Sequence, residues 1–205
     1  MPQLTRHGIE LPAILGSTAT FQPRLLPEDL DVEIIMRGYS YTVVFAGSMV
    51  DQRTLLALKA SQPLPVNHDE WMESQAVLGR QLSGMRRFRY IGNGRFDLDQ
   101  QLRGELTSER PEANLPNNQV GTASLLSLVR GNDGHVTISS AERLAQSFSD
   151  LKHVSFEAKG TVRIKAAGSI IRENAQARSS DDTYIWENHV WHDQLHFRFS
   201  PANLG

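Results

Sequence analysis

A chain of 205 residues with 40% apolar and 21% charged residues has the composition of a folded protein, which excludes global disorder. Its formal charge of −2 excludes a uniformly basic surface but leaves room for a local basic patch. Cysteine is absent, so disulfide scaffolds, thiolate metal sites and cysteine nucleophiles are excluded.

Residues 1–30 are punctuated by Pro2, Pro12, Pro23 and Pro27 and carry no sustained period, so they read as an extended arm with one short strand at most. The opening residues lack a basic stretch followed by an apolar one, and no apolar run approaches the roughly 20 residues a membrane helix needs. A cytoplasmic chain, or one held in an assembled particle, with no membrane partner, is the expectation. Asp31–Met36 and Tyr41–Phe45 are β-branched runs around Arg37-Gly-Tyr-Ser40, the pattern of a hairpin. Ser48–Asp51 reads as a helix start, with Leu55, Leu56 and Leu58 on its apolar side through about residue 60. Gln62-Pro-Leu-Pro65 stops it, and Asn67 with Glu70 has the spacing of a capping box for a second helix over about 68–82. Met85–Ile91 and Arg95–Asp99 alternate on both sides of Gly92-Asn-Gly94, which is the clearest hairpin of the chain. A further strand is expected through Leu102 and Leu106.

Residues 107–118 are rich in Pro, Asn and Glu with no apolar period, so they read as a mobile loop or an internal boundary. Strands follow at Leu125–Val129 and His135–Ile138, then a second capping box, Ser139 with Glu142, opens a third helix carrying Leu144, Phe148 and Leu151. The rest reads as a meander through 154–157, 161–165, 169–172 and 184–199. The expected fold is α+β: one domain over 1–205, a mostly antiparallel sheet with about three helices packed on one face, near 48–60, 68–82 and 139–151.

Three constellations bear on function. Tyr184–Phe199 holds Trp186, Trp191 and three histidines, His189, His192 and His196. On a helix their spacing would line one face as metal ligands. The aromatic and β-branched composition instead favours strands, where His189 faces away from the other two. The second is the hairpin at 85–95, where Arg86, Arg87, Arg89 and Arg95 interleave with Phe88 and Tyr90. Guanidinium groups among aromatics suit phosphates and stacked bases, and suit acidic protein surfaces as well; Asp97 and Asp99 on the return strand can neutralise two of them. The third is Glu157-Ala-Lys159, a triplet used by metal-dependent nucleases, here without the acid such enzymes carry on the preceding strand. Arg6-His7-Gly8 lacks the buried strand a phosphohistidine motif requires, and no phosphate-binding loop, nucleophile elbow or His-Glu-x-x-His is present.

The leading expectation is a non-catalytic binding or assembly protein, such as a subunit of a bacterial or phage complex, with a protein partner or self-association and no cofactor. Its contact residues would be Arg86, Arg87, Arg89, Tyr90, Arg95, Trp186 and Trp191, types that dominate interface energetics. A nucleic-acid-binding protein using the 85–95 hairpin is the alternative. A metal-dependent hydrolase using Glu157 and Lys159, or the terminal histidines, is the third reading.

Overall fold

A computed structural model describes residues 23–116, 124–141, 155–187 and 194–202, together with Leu144, Phe148, Leu151 and Trp191. Strand accounts for 54% of the structure. The chain folds as β1 (Leu25–Arg37), β2 (Ser40–Asp51), α1 (Gln52–Lys59), α2 (His68–Gly79), β3 (Met85–Gly92), β4 (Arg95–Glu105) and β5 (Glu112–Leu115). There follow β6 (Leu126–Arg130), β7 (Val136–Ser140), β8 (Thr161–Ala166), β9 (Gly168–Glu173), β10 (Ala177–Arg178), β11 (Thr183–Glu187) and β12 (His196–Pro201).

These strands form two sheets, which corrects the α+β expectation to a mostly β fold. The first is a curled, mixed seven-stranded sheet in the order β10-β11-β8-β1-β2-β4-β3, and the second has five strands in the order β5-β6-β7-β12-β9. Among these strand pairs only β1 and β8 run parallel, with Val32 opposite Val162 and Ile34 opposite Ile164. The chain reaches β8 by way of the second sheet.

Alternation explains the faces. Val32, Ile34 and Met36 of β1, Val43 and Phe45 of β2, and Val162 and Ile164 of β8 are buried, while Glu33, Arg37, Arg163 and Lys165 face outward. In the second sheet Leu126, Leu128, Val136, Ile138, Phe197 and Phe199 supply the buried side. The two faces meet in one hydrophobic cluster. Tyr184 and Trp186 from the first sheet bring their rings to 5.0 and 6.1 Å from Phe197 of the second.

Several boundaries move for physical reasons. Strand β1 starts at Leu25 because Leu25 and Leu26 pair with Asp51 and Val50, so the arm read over 1–30 ends in a core strand. The same pairing keeps Ser48–Asp51 extended, and α1 begins only at Gln52. Residues 112–115, read as loop, become β5 against β6. Ser139 and Ser140 close β7 rather than open a helix. Of the third expected helix only Leu144, Phe148 and Leu151 are described, and all three are buried. Residues 1–22, and with them His7, lie outside the described residues, as do Glu142, His189 and His192.

Candidate functional site

The two helices build a pocket at the β2–β4–β3 end of the first sheet. Its foundation is Asp51, 1% exposed, at the end of β2. Its Oδ1 accepts the Arg24 backbone N–H at 2.9 Å, and its Oδ2 accepts both the N–H and the hydroxyl of Thr54, at 2.9 and 2.8 Å. Asp51 is therefore the N-cap of α1 and ties that helix to Arg24, the residue just before β1. At α2 the expected capping box does not form: Asn67 makes no side-chain bond to the helix, and its carbonyl accepts from Trp71 N–H instead.

A chain of polar groups then links the elements. Thr54 Oγ1 lies 2.9 Å from His68 Nε2, and His68 Nδ1 lies 3.3 Å from Asp69 Oδ1. The same Asp69 oxygen accepts the hydroxyl of Tyr90 on β3, and the Tyr90 oxygen accepts Gly94 N–H at 3.2 Å. Gly94, at φ 73°, is required twice over: an L side chain disfavours that conformation, and a Cβ there would come within 2.5 Å of Thr54. The Tyr90 phenol is pushed up to about 12, first by burial and then by its bond to Asp69. Asp69 is held below the ordinary carboxylate value, chiefly by that Tyr90 bond and next by His68.

Hydroxyl, imidazole and carboxylate in line look like a hydrolytic triad, but the protons run the wrong way. A carboxylate only accepts, so Thr54 spends its single hydroxyl proton on Asp51, and His68 Nε2 must donate to Thr54. His68 in that state cannot be the base that activates Thr54. The chain acts as a clamp holding α1, α2 and β3 together. Beside it Ala57, Leu64, Pro65, Trp71 and Met72 wall a cavity of about 60 Å³, room for the end of one aliphatic side chain. Five of the seven exposed large apolar side chains among the described residues, Leu58, Val66, Val77, Leu78 and Ile91, belong to this α1–α2–β3 stretch.

The residues singled out in the sequence are distributed differently. Arg87 and Arg89 share Asp97, at 2.8 and 3.5 Å, and Arg86 faces Asp99 at 4.0 Å and donates to Gln101. Arg95 binds both oxygens of Glu28 at 2.8 and 2.9 Å. Arg86, Arg87 and Arg89 thus sit on the edge strand β3 and Arg95 at the start of β4, each already facing an acid. Trp186 and Trp191 are 4% and 2% exposed, with their indole N–H groups donating to Asn174 Oδ1 and Lys159 O. Both are core residues, which corrects their reading as exposed contact residues. Glu157 and Lys159 are exposed, and the Lys159 backbone is held between Glu28 and Leu30 of β1. His196 lies on the outer face of the second sheet; its partial burial, with Arg172 and Arg198 beside it, holds its pKa down, and the two guanidinium charges oppose a metal cation there. No group of three His, Asp or Glu side chains among the described residues is placed to hold a metal ion. The local pattern points to Asn67 as a cap and passes over Asp51, although an Asp three residues before a Thr at a strand–helix junction carries that signal.

By class the chain is a two-sheet β protein with a helical hairpin and an apolar pocket at one end. No family model matches it, and no curated protein does. Among solved structures it is similar to the folded domain of the Mycobacterium tuberculosis LppM protein, determined by NMR. That similarity has a TM-score of 0.44 and 15% identity over 92% of this chain and 97% of that one. A likeness of that degree assigns no residue and no activity. No described helix is long and apolar enough to cross a membrane.

Proposed function

We propose that this chain is a non-catalytic binding protein whose contact surface is the α1–α2 hairpin, and that its partner is a protein offering an apolar anchor residue with basic neighbours. The carrying observation is that one helical hairpin holds both a cavity walled by Leu64, Pro65, Trp71 and Met72 and four exposed apolar side chains, Leu58, Val66, Val77 and Leu78. Seating one aliphatic side chain there is worth about 1.5–3 kcal/mol, the scale of an interface anchor. Exposed Asp69, Glu70 and Glu73 in the first turns of α2 favour a basic neighbour on the partner. The proton arrangement at Thr54 and His68 supports binding without turnover.

A displayed random-peptide library selected on the purified chain tests this. Enriched peptides are expected to carry an aliphatic residue flanked by Lys or Arg and to be recovered uncleaved. Their affinity should fall about tenfold or more for the Val77→Glu, Leu78→Glu double variant, whose sites are exposed and whose fold is therefore retained. Absence of enrichment, cleavage of the peptides, or equal binding to the variant would defeat the reading.

A further inference from the structure

Independently of the helical hairpin, we infer that the outer face of the second sheet binds a tetrahedral oxyanion of the phosphate class between Arg172 and Arg198. The two arginines are direct cross-strand partners, Arg198 on β12 and Arg172 on the edge strand β9. Partners in an antiparallel ladder project to the same face, and like charges placed opposite each other disfavour the pairing unless something neutralises them. His196 stands two residues along β12 on that same face, across from Ser139 of β7.

Carboxylates do not balance this cluster. Asp133, in the β6–β7 turn, is the one acid that meets Arg198 among the described residues, and it also lies 3.0 Å from His135 Nδ1. Glu173, next to Arg172 in sequence, turns away and accepts the Ala175 N–H. Arg172 makes no ion pair among the described residues. The Nε of Arg198 is buried and has no hydrogen-bond partner, one of two such buried side-chain atoms among the described residues. A buried donor on a charged group that stays unmatched is costly, and an oxyanion supplies the acceptor it lacks.

The surroundings also offer room for more than the anion. Val129, Asn132, Asp133, His135 and Thr137 border a broad depression of about 540 Å³ beside Arg198. A tetrahedral oxyanion presents enough oxygens for both guanidinium forks at once, which one carboxylate cannot do as well. Phosphate alone, or a phosphate monoester whose body lies in the depression, shares this chemistry. His196 reports on it directly. Its imidazole faces Arg198 on its own strand, Arg172 on β9 and Ser139 on β7, so a bound anion offsets both charges and raises its pKa.

The experiment is a titration of the whole chain in low salt with inorganic phosphate, phenyl phosphate and acetate, followed by histidine imidazole NMR. Phosphate and phenyl phosphate are expected to bind saturably and to raise the His196 pKa, with acetate weaker by about tenfold. Tighter binding of phenyl phosphate points to a monoester, and equal binding to the free anion; both fit the assignment. Arg172→Gln, on an exposed edge strand, should weaken phosphate by about tenfold or more, with a ligand-free melting temperature no lower than that of the parent chain as the control for folding, since the substitution relieves the like-charge pair. Arg198→Gln should do the same, but it also frees Asp133, so the Arg172 variant decides. Non-saturable shifts that follow ionic strength alone, acetate binding as tightly as phosphate, or unchanged affinity in Arg172→Gln would overturn the assignment.

Discussion

Tyr90 shows how much one oxygen can hold. It donates to Asp69 at the start of α2 and accepts from Gly94 at the β3–β4 turn, so helix, strand and turn meet there. An unfolded tyrosine ionises near pH 10.0, whereas in the folded chain Tyr90 keeps its proton to about 12. Across that window the unfolded chain has lost a proton that the folded chain retains, so the contribution of Tyr90 to stability is complete below pH 10 and fades as pH rises towards 12. Asp69 runs the other way: its lowered pKa favours folding above the ordinary carboxylate range, and that benefit fades as pH falls below it. Tyr41 is also raised, by burial, so Tyr90→Phe should remove one late phenol from a spectrophotometric titration and return Asp69 towards 3.8 by carboxyl NMR. Because the bond is largely solvent-exposed, its loss should cost no more than about 1 kcal/mol. An unchanged number of late phenols in the variant would overturn the assignment to Tyr90. In the sequence Tyr90 stands out as an aromatic beside Arg89, which is the right position with the wrong partner. Its bond to Asp69 depends on α2 docking against β3, and no local pattern encodes that.

At the scale of elements, the docking of α2 on β3 turns on Gly79. A Cβ at Gly79 would meet the Phe88 ring at 2.2 Å, and Phe88 cannot yield, being 1% exposed and stacked on Phe96 at 5.1 Å. The contact also positions Arg80, whose Nε donates to the Phe88 carbonyl at 2.9 Å and so covers part of the sheet's edge. Gly79→Ala gains about 1 kcal/mol of helix propensity and loses about 1–3 kcal/mol to overpacking. The clash should win, lowering the urea midpoint and exposing the β3 edge to amide exchange. A raised midpoint would mean that α2 can lift away without loss. Period-two alternation makes the central parts of β1 to β4, and β12, legible in the sequence alone, including the inward Phe197 and Phe199 with outward His196 and Arg198. The assignment of strands to sheets is not legible there. Strands β8 and β9, separated by Ala167 alone, look like a hairpin, yet Gly168 at φ 152° carries β9 into the other sheet, against Pro201 of β12. Helix content is overestimated because Leu-rich and Ser-capped stretches satisfy helix patterns locally, while pairing with β1 or β6 decides their conformation.

For the whole molecule, the order in which strands enter the sheets bears on how it unfolds. The chain lays β1–β4 in the first sheet, β5–β7 in the second, β8 in the first, β9 in the second, β10 and β11 in the first, and β12 in the second. Neither sheet can be completed without residues that follow a passage through the other. The segment at 107–118 that reads as a boundary contributes β5, and Leu115 within it belongs to the shared core. Phe197 is the point at which a disturbance should reach both sheets, since its ring lies against Tyr184 and Trp186 of the first sheet and Phe199 of the second. Phe197→Ala removes a fully buried ring at a cost of about 3–5 kcal/mol. Urea unfolding followed by tryptophan fluorescence, which reports on buried Trp186 and Trp191, should coincide with unfolding followed by far-ultraviolet circular dichroism. In the variant both curves should move together to lower urea with the same slope, because a single cooperative unit loses stability as a whole. Separation of the two curves, or a fluorescence shift without a matching loss of secondary structure, would show instead that the sheets unfold as independent units.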